Sequence, residues 1–210
     1  MLSMAETVVF VHGLYMTGVE LGLLRRRVEA DGFATQVFRY HSLLRSVDEN
    51  AMLLADFLKG VKGERLHLVG HSLGGMVILR MFERGVELPP GRVVFMGSPV
   101  RGSVAAQSLR DRGLGFLLGR SGPEGLELPQ EAQWKATREL GVIAGTHAFS
   151  INPFHAKLPV PNDGMVSLEE TRITGAKDSI EMHLAHTTML FSNQLAGQVS
   201  RFLREGKFGH

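Results

Sequence analysis

The feature that most restricts this chain is a short glycine-rich break between two apolar runs. Arg65 to Val69 read as a buried strand, GHSLGG interrupts it, and Met76 to Arg84 follow with good helix formers and apolar residues at Val77, Leu79, Met81 and Phe82. A strand that turns sharply into a helix belongs to alternating β/α architecture, and here the turn carries Ser72. A serine hydroxyl is a poor nucleophile unless it is exposed on a strained turn next to a base, and the flanking glycines permit such a turn. The pattern Gly70-x-Ser72-x-Gly74 is cheap by itself, since the 25 glycines of this chain make about 0.2 chance matches expected. Its place between strand and helix is what gives it weight. The helix N-terminus adds a positive dipole end and the backbone N–H of Leu73 as a donor to a developing oxyanion. The plainer alternative is a strand-to-helix turn with a structural serine.

The rest of the chain repeats the alternation. Strands are expected at Thr7–Val11, Thr35–Tyr40, Arg92–Met96, Gly141–Ala144 and Asp178–Leu184, and helices at Val19–Ala30, Asp48–Val61 and within His186–Glu205. Together with the elbow strand this makes about six strands in a mostly parallel sheet, with helices on both faces and sites beyond the carboxyl ends of the strands. With 210 residues, 44% of them hydrophobic, the chain can bury one substantial core, so residues 1–210 read as a single domain. The pattern weakens between Gly97 and Pro129. Residues 101–128 combine Gly113, Gly115, Gly119, Gly122 and Gly125 with Leu114, Phe116, Leu117 and Leu118, which suits either a mobile flap or ordinary helical cover.

The partners of Ser72 must follow it, because with a nucleophile on this kind of elbow the acid precedes the histidine in chain order. Asp163 sits at the tip of the turn-forming cluster Pro161-Asn162-Asp163-Gly164 and is the best acid; Glu169, Glu170 and Asp178 read instead as solvated charges. His186, on the loop after the last strand, is the best base. Its competitor is His183, inside the period-2 stretch. A second oxyanion donor is expected from the strand end His12-Gly13-Leu14, assigned to the Leu14 N–H with Tyr15 as a rival one residue along. His12 itself reads as a turn-stabilising residue.

Composition excludes several classes. There are 23 basic against 21 acidic residues, so no basic field points to nucleic acid. The absence of cysteine removes disulfides and thiolate chemistry. His41, His67, His71, His147 and His155 lack the spacing of metal ligands, so neither a metal nor another cofactor is expected. The start MLSMAETVVFVHG shows no charged leader, and Val8–Val11 is too short for a signal core or membrane span. A cytoplasmic enzyme with no transmembrane segment is the expectation.

FVHGL, LVGHSLGG, MGSPVRGS, PNDGMVS and the late HTTMLFS together resemble the small bacterial lipase and esterase group of the α/β-hydrolase superfamily, related in pattern to GPI inositol-deacylase-like hydrolases. The resemblance spans nearly the whole chain, except that the strands usually preceding the HG strand are missing. It implies a minimal α/β-hydrolase fold, a triad of Ser72, Asp163 and His186, and hydrolysis of a small-molecule or lipid carboxylic ester through an acyl-enzyme. An acyltransferase or thioesterase with the same triad, and a binding protein on this fold, are the alternatives.

Overall fold

Six strands form one parallel sheet in the order β2-β1-β3-β4-β5-β6. They are β1 (Glu6–Val11), β2 (Ala34–Phe38), β3 (Arg65–His71), β4 (Val93–Met96), β5 (Leu140–Gly145) and β6 (Asp178–Met182). The computed structural model describes residues 6–126, 131–148 and 157–210. Residues 127 and 128 of the expected flap, and His155, lie outside the described residues.

Side chains on a strand alternate between faces, and each face of this sheet has its own core. Val9 and Val11 of β1 pack on one side with Leu66, Leu68, Phe95 and Val142. Val8 and Phe10 pack on the other with Val69, Val94, Met96 and Ile143. Strands apolar on both faces require cover on both. Helices α2 (Val47–Lys59) and α3 (Leu73–Glu83) cover the first side, α1 (Gly22–Ala30) and α6 (Asn193–Glu205) the second. The expected α/β-hydrolase sheet of about six strands, covered on both faces, is the one observed.

Several element ends differ from the sequence expectation, each for a tertiary reason. The second strand stops at Phe38, and Tyr40 turns inward to donate its hydroxyl to His12 O (2.7 Å). The first helix begins at Gly22, because the carboxylate of Glu20 ties up the N–H groups of Thr17 and Gly18 in a preceding turn. The last strand ends at Met182, and the last helix starts only at Asn193, where Ser192 Oγ caps it by accepting the Leu195 N–H. A 3-10 turn, Thr188–Phe191, separates that helix from His186.

Residues 101–126 fold as α4 (Val104–Asp111), 3-10 turns over Gly115–Ser121 broken at Gly119, and the short α5 (Gly122–Gly125). The break docks on the loop after β2: Arg120 N–H donates to Leu43 O, and Ser121 Oγ donates to Ser42 O.

Candidate active site

Ser72 occupies the single residue between β3 and α3, with φ 53° and ψ −123°. That is a sterically costly conformation for a residue with a Cβ, and it lifts the hydroxyl off the line of the strand. The turn is possible only because its neighbours lack side chains. A Cβ at Gly74 would come within 2.1 Å of Val11 O, and one at Gly70 within 2.6 Å of Gly75 N, so α3 lies directly against β1 and β3. Ser72 is fixed by its own main chain, its N–H donating to Met96 O (2.9 Å) and its C=O accepting from Gly75 N–H (3.0 Å).

The loop after β1 turns beside it. Gly13 to Met16 close a four-residue turn with Tyr15 at φ 60°. The Tyr15 N–H already donates to Ser42 Oγ (3.2 Å), whereas Leu14 and Leu73 flank Ser72 in the wall of one cavity. His12 is fully buried below this turn and stacks on Tyr40 with ring centroids 4.3 Å apart. Its Nε2 accepts the Tyr40 N–H, so Nδ1 carries the hydrogen and donates to Gly13 O (3.0 Å). Burial pushes the His12 pKa down, and the ring acts as a neutral brace for the loop.

At the same carboxyl end of the sheet, beyond β5 and β6, the structure brings Asp163 and His186 together. The turn after Pro161 aims the carboxylate inward: Oδ1 accepts the N–H groups of Met165 (2.9 Å) and Val166 (2.7 Å), and Oδ2 lies 2.7 Å from His186 Nδ1. Both residues are buried, Asp163 at 1% and His186 at 7% exposure. A carboxylate only accepts, so Nδ1 donates and Nε2 is left with a lone pair.

Ser72, His186, Leu14 and Leu73 share a cavity of about 260 Å³. Its deep wall is aliphatic, from Leu73, Ala105, Ala106, Leu118 and Leu126, and Tyr15, Met16 and Thr187 stand at its more exposed side. A larger cleft of about 1010 Å³ runs along β5 and β6, but it contains none of the four and offers no comparable grouping. Among the described residues, no group of three or more His, Asp or Glu side chains converges as a metal would need. No helix among them is long and apolar enough to cross a membrane.

The competing candidates lie elsewhere. His183 is exposed and packs its ring on His147, with centroids 4.4 Å apart. Asp178 opens β6 at the opposite end of the sheet, where its Oδ2 accepts the Phe208 N–H (2.7 Å). Glu169 is a surface partner of Arg101 and Arg172. Glu170, expected to be a solvated charge, is instead buried at 6% exposure. Its carboxylate joins the Ser167 N–H (2.5 Å), on the Asp163 loop, to the Val104 N–H (2.7 Å) at the start of α4, and burial raises its pKa. Adjacent charges in sequence gave no sign of this difference. His71, weighed in the sequence only as a metal ligand, is the other residue missed, and it too lines the cavity.

A model of the alpha/beta hydrolase family matches residues 8–176. No curated protein matches the chain. Among solved structures it is similar to the Bacillus licheniformis lipase BlEst2. The propeptide form gives a TM-score of 0.73 at 18% identity over 89% of this chain and 47% of that one, and the mature form 0.66 at 17% over 90% and 87%. The chain thus spans about half the length of the propeptide form. A metagenomic carboxyl esterase, MGS0156, gives 0.63 at 18% identity over 88% and 65% of the two chains. The type II thioesterase YbtT of a yersiniabactin pathway gives 0.60 at 16% over 97% and 94%. At these identities the likeness is one of fold.

Proposed function

Because the chain belongs to the alpha/beta hydrolase family, we propose that it is a serine hydrolase of carboxylic esters, with Ser72 as nucleophile, His186 as base and Asp163 as the residue that orients the base. The observation that carries this reading is the 2.7 Å contact of Asp163 Oδ2 with His186 Nδ1, in a buried pair whose histidine shares a cavity with the elbow serine. It fixes the tautomer in which Nε2 can take a proton.

In the proposed reaction Ser72 Oγ attacks the ester carbonyl while its proton passes to His186 Nε2. The tetrahedral oxyanion is stabilised by the N–H groups of Leu14 and Leu73. Leu14 is preferred over Tyr15 because the Tyr15 N–H is already engaged by Ser42. Collapse breaks the bond to the alcohol oxygen, which leaves with the proton from His186, and Ser72 remains acylated. Water then attacks the acyl-enzyme, its proton going to His186, and a second collapse releases the acid and returns the proton to Ser72. Asp163 stays ionised throughout and stabilises the transient imidazolium. The aliphatic deep wall suits the acyl chain.

The test is a pair of measurements on wild type and Ser72→Ala. The variant is expected to lose p-nitrophenyl ester turnover and labelling by a fluorophosphonate. Burst labelling retained by Ser72→Ala overturns the assignment. Added alcohol separates the related chemistries, since ester products in place of free acid identify an acyltransferase.

A further inference from the structure

His71 is fully buried at the end of β3, immediately before Ser72, and the proposed acyl transfer makes no use of it. Its Nε2 lies 3.1 Å from the backbone oxygen of His186. A carbonyl oxygen can only accept, so Nε2 carries the hydrogen and Nδ1 is a bare acceptor. Among the described residues Nδ1 has no hydrogen-bond partner. A buried ring held by one nitrogen alone is oriented by that one bond.

The bond crosses a distance that the sheet does not. β3, which ends in the elbow, and β6, which precedes His186, are separated by β4 and β5, so no strand ladder ties the two loops directly. On the other side His186 N–H donates to Asp163 O (2.9 Å). The main chain of His186 is thus gripped at its N–H by the acid loop and at its C=O by the elbow. The two imidazole rings lie 4.8 Å apart at 43°. Burial, with the neighbouring His186 acting in the same direction, holds the His71 pKa down at about 3, so His71 adds no second positive charge beside the imidazolium of the proposed mechanism.

We propose that His71 is a positioning residue: by donating Nε2–H to the His186 carbonyl it couples the base-bearing loop to the serine elbow and holds Ser72 and His186 in one fixed relation. This rests on the function proposed above. A core histidine that merely fills space has no such geometric requirement, and three substitutions distinguish the two roles. His71→Gln can place an amide N–H where Nε2 stands, His71→Asn can reach only the position of Nδ1, and His71→Phe keeps the ring without a donor.

Steady-state kinetics on a p-nitrophenyl ester, with a melting curve for each variant, form the test. Phe and Asn are expected to lower kcat roughly 10- to 100-fold with KM changed less than about threefold, because misplacing a catalytic group costs chemistry more than binding. Gln is expected to recover most of that loss. Wild-type kcat in the Asn and Phe variants overturns the inference, as does a Gln variant impaired like Asn while both melt as wild type does. A rise in KM at unchanged kcat overturns it too, because His71 then contacts substrate rather than holding the base. If the Phe variant fails to fold, the contrast of Gln with Asn decides. Turnover that survives Ser72→Ala overturns the proposed function and this inference with it, whereas the outcomes above overturn the inference alone.

Discussion

Asp163 holds His186 by two independent bonds, its backbone oxygen accepting the His186 N–H at 2.9 Å and its carboxylate Oδ2 accepting Nδ1–H at 2.7 Å. The first is a main-chain bond that no side-chain substitution removes. The second sets the tautomer of the ring.

Asp163→Asn therefore keeps the loop in place and alters the imidazole. An amide N–H facing Nδ1 needs a lone pair there, which moves the hydrogen to Nε2 and blocks proton uptake from Ser72. The expected loss in kcat is about 10³- to 10⁴-fold, with a melting temperature close to that of wild type. Ester kinetics within tenfold of wild type would sink the assigned role of Asp163.

Ser72→Gly removes the one side chain held at φ 53° in the elbow. Glycine takes that conformation freely, and the relief of about 1–3 kcal/mol outweighs its greater freedom in the unfolded chain, about 0.4–1 kcal/mol. The variant is expected to be inactive and more stable to urea than wild type. Lower stability would mean that the serine is not strained.

Acid should unfold this protein early. His67 and His71 ordinarily titrate near 6.5, but burial lowers them to about 4 and about 3, and His12 is lowered in the same direction. Below 6.5 the unfolded chain binds protons that the folded one refuses, so stability present above that pH is lost as pH falls towards those lowered values. At pH 5 the loss is about 2 kcal/mol for each of His67 and His71. Glu170, whose pKa is raised by burial, works in the opposite sense, its contribution disappearing as pH rises. Urea denaturation at pH 7.5 and pH 5 measures the sum, and His67→Gln, far from the cavity, should flatten the profile. An equally steep dependence in that variant would refute the account.

The cavity beside Ser72, at about 260 Å³, is slightly smaller than the roughly 300 Å³ at which pockets for drug-sized ligands begin. Acyl groups from acetate to about octanoate are expected to be turned over faster than palmitate. Ala106→Leu, which fills the deep wall, should move the optimum towards acetate. An ester panel on both proteins makes the comparison, and faster turnover of palmitate than of the short esters would contradict the fit.

The sheet was legible in the sequence because its central strands are apolar on both faces and bounded by turn residues, as Thr7–Val11 and Arg65–Val69 illustrate. The superfamily was legible from the motifs around Ser72, Asp163 and His186; the matched family model is that of the whole family, not of a GPI inositol-deacylase-like subgroup. Local pattern failed where long-range contact decides. Glu169 and Glu170 are neighbours of identical chemistry, and only the packing of α4 on the Asp163 loop makes one a surface ion-pair partner and the other a buried clamp. His71 read as part of a motif, while its hydrogen bond joins residues 115 positions apart. Tyr15 and Leu14 differ by one step of register, and the contact that favours Leu14 in the proposed mechanism, the Tyr15 N–H on Ser42, comes from another loop.

The strand order also has a bearing on how such a chain comes into being. The elbow serine directly follows β3, amid the first half of the sequence, but Asp163 and His186 follow β5 and β6, and β6 is an edge strand of the sheet. A ribosome delivers the amino-terminal part first, so the serine emerges roughly ten seconds before its two partners. Through that interval the nascent chain carries an elbow without the base His186 and the acid Asp163, and on the proposed mechanism it is chemically silent until its last strand zips onto the edge.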